Sequence, residues 1–266
     1  MIDARDLIVE QRDRIGVLTL NRPEKRNALT AQLLVDLHLI LAEWAGQEDV
    51  RVVIIKGGDD RSFSAGYDVA AIPLDVTPEA AEILKRENPL TLALDSVRDF
   101  PWPVIAMMNG YAFGAGLNLA MCCDFRLAAA GIKVGMPPAR LGLVYHPEGL
   151  RQFQRVLGPA VTREVFLTAR TYEGEAVRQL GFVHQLIPAA ELEAAVWDYA
   201  GRLAENAPLS VRGMKEILNM LDQGQAMTAE NLARAEALVQ HAFSSRDLAE
   251  GQAAFLEKRK PDFEGR

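Results

Sequence analysis

The 266-residue sequence predicts an α/β protein with a helical C-terminal region, and three features predict it. Apolar, β-branched runs such as VRVVIIKG and PVIAMMNG recur in the first half, helix-period stretches lie between them, and from Glu148 onward the pattern is mostly helical. Alternation of this kind implies parallel strands joined by helical crossovers.

IGVLTL (Ile15 to Leu20) is the first strand, ended by Asn21 and separated from the next element by Pro23. Thr30 caps a helix in which Leu33, Leu37, Ile40, Leu41 and Trp44 share one face, with Asp36 and Glu43 on other faces. VRVVIIKG is a buried strand, residues 78 to about 98 form one long helical segment, and PVIAMMNG and DFRLAAA are further strands. EGLRQFQRVLG, PAVTREVFLTA and EGEAVRQLG then read as helices, followed by four longer amphipathic stretches ending at AFLEKRK. Only FVHQLI interrupts that half as a strand. No low-complexity linker occurs, so the expected division is a core over residues 1–200 and an appended helical region over 201–266.

With 49% hydrophobic residues the chain is able to bury a large core. A net charge of -7 and scattered Lys and Arg argue against a general nucleic-acid or acidic-membrane surface, so an anionic ligand must meet a local basic patch. Cys122 and Cys123 are adjacent in an apolar run, with no other cysteine to pair with or to complete a Cys-based metal site. A reducing compartment fits. MIDARDLIVEQRDR is too charged for a signal peptide and no apolar run reaches transmembrane length, so the expected location is cytoplasmic.

GYAFGAGLNLAMCCDFRLA (Gly110 to Ala128) places Gly110, Gly114 and Gly116 at its start, although each glycine weakens a regular element by roughly 0.5–1 kcal/mol. FSAGYD (Phe63 to Asp68) and FGAGLN (Phe113 to Asn118) repeat one device: Phe, small, Ala, Gly, any residue, then Asp or Asn, each after an apolar strand. Small residues let backbone N–H groups approach a ligand, and a helix start aims unsatisfied donors at it. Two such turns converging on one oxygen would make an oxyanion hole, in which one donor is worth roughly 2.7–4 kcal/mol. The alternative is a pair of tight strand-to-helix connections. A dinucleotide fingerprint fits GAGLNLA poorly because Leu119 stands at its third small position, and a nucleophile elbow fits SFSAG poorly because Ser62 stands where glycine is required.

NRPEKRNALT, SFSAGYDV, PVIAMMNGYAFGAGLNLAMCCDFRLA, LTARTYEGEAVRQLGFVHQLI and AFLEKRKPDFEGR together resemble the landmarks of the crotonase (enoyl-CoA hydratase/isomerase) family over nearly the whole chain. The resemblance implies a crotonase-type spiral of ββα units, a helical C-terminal trimerisation region, and a homotrimer or a hexamer made of two trimers. It also implies an acyl-CoA thioester polarised by the backbone N–H groups of Tyr67 and Ala115, with Ala65, Gly66, Asp68, Val69, Gly114 and Pro137 along the bound substrate. Coenzyme A enters as part of that substrate, with no separate cofactor and no metal. Its phosphates need cations, available in Arg22, Lys25 and Arg26 and in Lys258, Arg259 and Lys260; Lys258 is the preferred contact and Lys25 the weaker one.

The chain departs from hydratases of that family at two positions. Asn118 and Pro138 stand where hydratases carry glutamates, and neither side chain exchanges a proton near neutral pH. Tyr145, His146 and Glu148 in LGLVYHPEG remain. Tyr145 lines up with a tyrosine of the methylmalonyl-CoA decarboxylase branch, and His146 with an aspartate of dienoyl-CoA isomerases and aryl-CoA dehalogenases. That decarboxylase branch has histidine at position 67 and glutamate at position 118, where this chain has Tyr67 and Asn118. A pocket glutamate would repel a carboxylate on the substrate by about 4 kcal/mol at ~4 Å and an effective dielectric near 20, which favours decarboxylation of a small carboxyacyl-CoA, with Tyr145 reprotonating the α-carbon or orienting the carboxylate. The alternatives are a divergent hydratase/isomerase and a non-catalytic acyl-CoA-binding relative. Structural roles are expected for His38, His184 and His241, a helix cap for Asp68 and Glu148, and for Asn118 either a hydrogen bond in the pocket or one to backbone.

Overall fold

The computed structural model describes residues 6–47, 49–68, 76–141, 143–222 and 228–266. Strand formation starts before IGVLTL: β1 (Leu7–Arg12) pairs antiparallel with β2 (Ile15–Leu20) across a tight turn in which Asp13 has φ +52°. β1 is an edge strand whose outer residues face solvent, so its charges mask it in the sequence. A 3₁₀ turn at Pro23–Lys25 precedes α1 (Ala31–Ala45), capped as expected by Thr30, whose Oγ1 accepts from Leu33 N at 3.1 Å. Asp36, expected on an outer face, is instead buried and accepts from Gln32 Nε2 at 2.7 Å.

After β3 (Val52–Gly57) and β4 (Ser62–Ser64), the helical segment expected to be continuous is two helices, α2 (Pro78–Leu84) and α3 (Pro89–Asp99). Pro89 disfavours helical geometry at Asn88, which becomes the cap of α3 by accepting from Leu90 N and Thr91 N. The chain continues through β5 (Val104–Met108), β6 (Tyr111–Phe113), α4 (Gly114–Cys122), β7 (Phe125–Ala129), β8 (Lys133–Gly135), a 3₁₀ turn at Pro138–Leu141 and α5 (Pro147–Thr168). α5 is interrupted at Gly158, φ +73°, just ahead of Pro159, so the two stretches read there are two helical arms. β9 (Thr171–Glu173) shows that FVHQLI is not the only strand in this half; a three-residue strand is too short to show a period. Then come α6 (Glu175–Gln179), β10 (Gln185–Ile187), α7 (Ala189–Ala204), α8 (Pro208–Leu221), α9 (Ala229–Phe243) and α10 (Arg246–Glu257).

Six strands form one sheet in the order β1-β2-β3-β5-β7-β10, parallel except for β1, and four form a smaller sheet in the order β4-β6-β8-β9. Successive β-β-α units (β3–β4 with α2 and α3, β5–β6–α4, β7–β8–α5) each give one strand to each sheet, which is the predicted spiral. Strands covered on both faces need no polar alternation, which is why β2 and β5 are buried throughout. Leu192, Val196 and Ala200 of α7 cover one face of the large sheet, over Val17, Ile54 and Ile105. The other face packs against α1, α3 and α4. α8 is tied to the N-terminal ends of β5 and β7 by Lys215 Nζ, 2.6 Å from Asp124 Oδ2 and 2.9 Å from Trp102 O. Among the described residues no helix is long and apolar enough to cross a membrane.

The glycines of the FGAGLN turn serve contact between spiral units. A Cβ on Gly110 would lie 2.1 Å from the Arg61 carbonyl, and one on Gly116 would lie 2.5 Å from Ser64 Cβ. Bare backbone lets β6 and α4 press against the β4 segment. Gly116→Ala is therefore expected to destabilise the fold by about 1–3 kcal/mol through overpacking, measured as a lower urea midpoint at unchanged slope.

Candidate active site

The FSAGYD turn is clamped from one side. Leu29 N donates to Gly66 O at 2.8 Å and Asp68 N to Leu29 O at 2.9 Å, an isolated parallel bridge in which Leu29 faces Tyr67. In that pattern the N–H of Tyr67 points away from Leu29, and it meets no acceptor among the described residues. The clamp has its own supports. Asn27 Nδ2 donates to Ser62 O at 2.8 Å, and Arg22 reaches both Ala28 O, at 2.7 Å, and the Asp68 carboxylate, at 2.9 Å. The Asp68 side chain is thus held by Arg22; the segment it was expected to cap, together with Val69, lies outside the described residues.

On the unclamped side stands the FGAGLN turn. Gly114 opens α4 at φ +52°, a left-handed conformation that glycine takes without penalty, and Ala115 N belongs to the first helical turn, where no intrahelical acceptor exists. Gly66, at φ +106°, is so close that an added Cβ would lie 2.9 Å from Phe113 O and 3.4 Å from Ala115 N. The two turns therefore touch, each with one uncommitted amide.

One helical turn beyond Ala115, Asn118 is buried and donates from Nδ2 to Tyr145 Oη at 3.1 Å. It bonds a side chain rather than backbone, and its Oδ1 is buried without a partner among the described residues. Because the amide donates to the phenol oxygen, the phenol's own proton is left to donate elsewhere. Burial pushes Tyr145 up to about 12, only partly opposed by the Asn118 hydrogen bond, so the phenol stays protonated. The ring packs on Phe166, 5.4 Å between centroids, and Gly149 admits it: a Cβ there would sit 2.3 Å from Tyr145 Cε1.

Asn118, Tyr145, the exposed His146 and Glu148 line a cavity of about 60 Å³ whose far wall, from α3, includes Asp95 and Arg98. Although Asn118 is neutral, the cavity is not without carboxylates. Burial raises the pKa of Asp95, opposed by Arg98 at 2.8 Å. The hydrogen bond from Arg151 holds Glu148 below the usual carboxylate range. Asp95 and Arg98 escape a sequence reading because they look like an i,i+3 pair on an ordinary amphipathic helix. Pro138 is buried at the start of its 3₁₀ turn, after the half-buried Pro137, and Ala65 is half-buried in the first turn. Lys25 and Lys258 are both exposed and neither lines this cavity.

Other groups take structural places. Ser64 is fully buried and its hydroxyl accepts from Gly66 N at 3.2 Å, which removes it as an exposed nucleophile. His38 Nδ1 bonds Ser96 Oγ at 2.7 Å, and His184 Nδ1 accepts from Arg126 N at 3.1 Å. Both cysteines are free and buried, with burial pushing the Cys122 thiol up to about 12.

The sequence profile of the enoyl-CoA hydratase/isomerase family matches residues 10–266. A crotonyl-CoA hydratase of Syntrophomonas wolfei is 33% identical over 261 residues, with 97% of each chain covered, and a carnitinyl-CoA dehydratase of Citrobacter koseri is 32% identical over 252 residues, with 94% of each covered. Among solved structures, an enoyl-CoA hydratase/carnithine racemase of Magnetospirillum magneticum superposes with a TM-score of 0.88 at 31% identity, covering 98% of this chain and 96% of that one. An enoyl-CoA hydratase of Bacillus anthracis gives 0.87 at 27% identity, covering 98% and 100%. Spiral, paired turns and matches along the whole length agree: this chain belongs to the enoyl-CoA hydratase/isomerase, or crotonase, family.

Proposed function

We propose that the protein is an acyl-CoA lyase that stabilises a thioester enolate between Tyr67 N–H and Ala115 N–H, and that Tyr145 delivers the proton that quenches it. The reading rests chiefly on the Asn118–Tyr145 pair: a phenol held neutral, with its proton free to donate, hydrogen-bonded to an asparagine that stands one helical turn from the uncommitted amide of Ala115. The favoured reaction is decarboxylation of a small carboxyacyl-CoA. The bond from the α-carbon to the carboxylate breaks, carbon dioxide leaves, and its electron pair becomes the enolate, whose oxygen charge the two amides hold. Tyr145 O–H then protonates the α-carbon and the phenol recovers its proton from solvent. Neutral Asn118 and Pro138 spare a substrate carboxylate the repulsion that two glutamates would impose.

A hydratase or dehydratase is the second reading, favoured by the names of the relatives and by Asp95 and Glu148 in the cavity, which supply carboxylates from other positions. In either case Lys258 and Lys25 serve as exposed cations for the coenzyme phosphates, and residues 201–266 carry the contacts of a homotrimer or hexamer. Leu218, Phe243 and Leu256, exposed at 59%, 71% and 80%, supply apolar surface for such contacts. Two buried free thiols suit a reducing, cytoplasmic setting.

Incubation with malonyl-, methylmalonyl-, ethylmalonyl- and crotonyl-CoA, followed by mass spectrometry, tests the choice: loss of carbon dioxide from a diacid thioester is expected, and gain of water by crotonyl-CoA alone would select the second reading. Tyr145→Phe is expected to lower kcat by about 10²- to 10⁴-fold while KM changes little. Since burial pushes the phenol up to about 12, above an ordinary tyrosine, the wild-type rate should show no alkaline loss from this group up to about pH 10.

A further inference from the structure

The segment that carries Tyr67 is laid, almost residue by residue, onto the loop that precedes α1. Asn27 Nδ2 donates to Ser62 O at 2.8 Å, Ala65 N to Arg26 O at 2.9 Å, Leu29 N to Gly66 O at 2.8 Å and Asp68 N to Leu29 O at 2.9 Å. To present those groups the loop holds two consecutive non-glycine residues in left-handed geometry, Arg26 at φ +55° and Asn27 at φ +54°. Such conformations persist only where the surrounding contacts over-determine them, and they gather at functional sites.

Arg22 supplies much of that constraint. Its backbone closes the loop, N donating to Asn27 Oδ1 at 3.0 Å and O accepting from Asn27 N at 2.8 Å. Its side chain then returns to the clamp: Nη1 donates to Ala28 O at 2.7 Å and to Asp68 Oδ2 at 2.9 Å, while Nε lies 3.1 Å from Asp6 Oδ2. Ala28 precedes Leu29 and Asp68 follows Tyr67, so one nitrogen joins the neighbours of the two residues that form the bridge. The Arg22 and Asp68 side chains are each only 13% exposed, and such a pair is screened far less than one on the surface. A planar guanidinium anchored through two of its nitrogens has less freedom than an ammonium on a flexible stem. The sequence offers Arg22 to the coenzyme phosphates beside Lys25 and Arg26; in the fold its Nη1 and Nε are committed internally.

We infer that Arg22 is the positioning residue for the Tyr67 amide: by stapling Ala28 to Asp68 it locks the bridge on Leu29 and so keeps Tyr67 N–H aimed at the thioester oxygen. The inference rests on the acyl-CoA reading and its paired amides, and adds to it a residue that acts through the backbone. Its effect is specific to the carbonyl. A misplacement of about 1 Å costs on the order of 10²-fold in rate, and a backbone donor that has lost its aim stabilises little developing charge. Binding of the coenzyme portion does not depend on that aim.

Isotope-edited infrared spectroscopy of bound butyryl-CoA, which has neither a carboxylate to lose nor a double bond to hydrate, tests this on the full-length protein. In the wild type the thioester carbonyl stretch is expected at lower frequency than in solution, because two amides polarise the bond. Arg22→Met is expected to lose at least half of that displacement. By titration calorimetry its affinity for butyryl-CoA should fall by no more than about 10-fold, the worth of one hydrogen bond, and its affinity for free coenzyme A should stay that of the wild type. A displacement retained in full by Arg22→Met overturns the inference and leaves the acyl-CoA reading intact. Weaker binding of free coenzyme A by Arg22→Met does the same, because it makes Arg22 a phosphate ligand. Butyryl-CoA bound by the wild type without displacement, or not bound at all, overturns the paired-amide reading and the inference with it. If Arg22→Met fails to fold, Arg22→Lys takes its place: it keeps the charge but not the anchorage through two nitrogens, and a wild-type displacement there overturns the inference.

Discussion

Two stretches of backbone must touch for this site to exist, and the contact is possible only where side chains are missing. Gly66 meets Phe113 O and Ala115 N, and Gly116 meets Ser64, at separations that a single β-carbon would violate. The strands bringing the stretches together are consecutive members of the small sheet, β4 beside β6, so the spiral sets the distance and the glycines allow it. The Leu29 bridge fixes the remaining freedom by turning Tyr67 N–H outward. Backbone donors held in this way need no reorganisation when charge appears in front of them.

Much of the spiral is visible in the sequence because fully buried parallel strands leave continuous apolar runs. β2, β3, β5 and β7 fall where those runs fall. β1 is concealed because an edge strand buries little, and β4, β8 and β9 are three residues each, too short for any period to register. The break between α2 and α3 is legible in Asn88–Pro89 but is hidden by continuous helical spacing on either side.

The site divides in a similar way. The paired turns and Tyr145 are recognisable because their chemistry is tied to a local pattern of small residues or to alignment with relatives. The purpose of Gly110 and Gly116 is not: sequence cannot distinguish a glycine that admits a ligand from one that admits another strand. Asp95 and Arg98 are equally silent, being polar residues at ordinary helical spacing whose place in the cavity wall comes only from what folds opposite them. Asn118 and Tyr145, 27 residues apart, become a pair through the packing of α4 on α5.

The interruption of α5 at Gly158 has a geometrical corollary. Phe153 and Phe166 would be about 20 Å apart along an unbroken helix, yet their rings stand 5.0 Å from each other, and Phe166 also reaches the Tyr145 ring. The second arm has doubled back over the first. The residue that backs the Tyr145 ring is thus delivered from beyond a hinge, which ties the placement of the Tyr145 hydroxyl to the backbone at Gly158, nine positions from the nearest ring-contacting glycine.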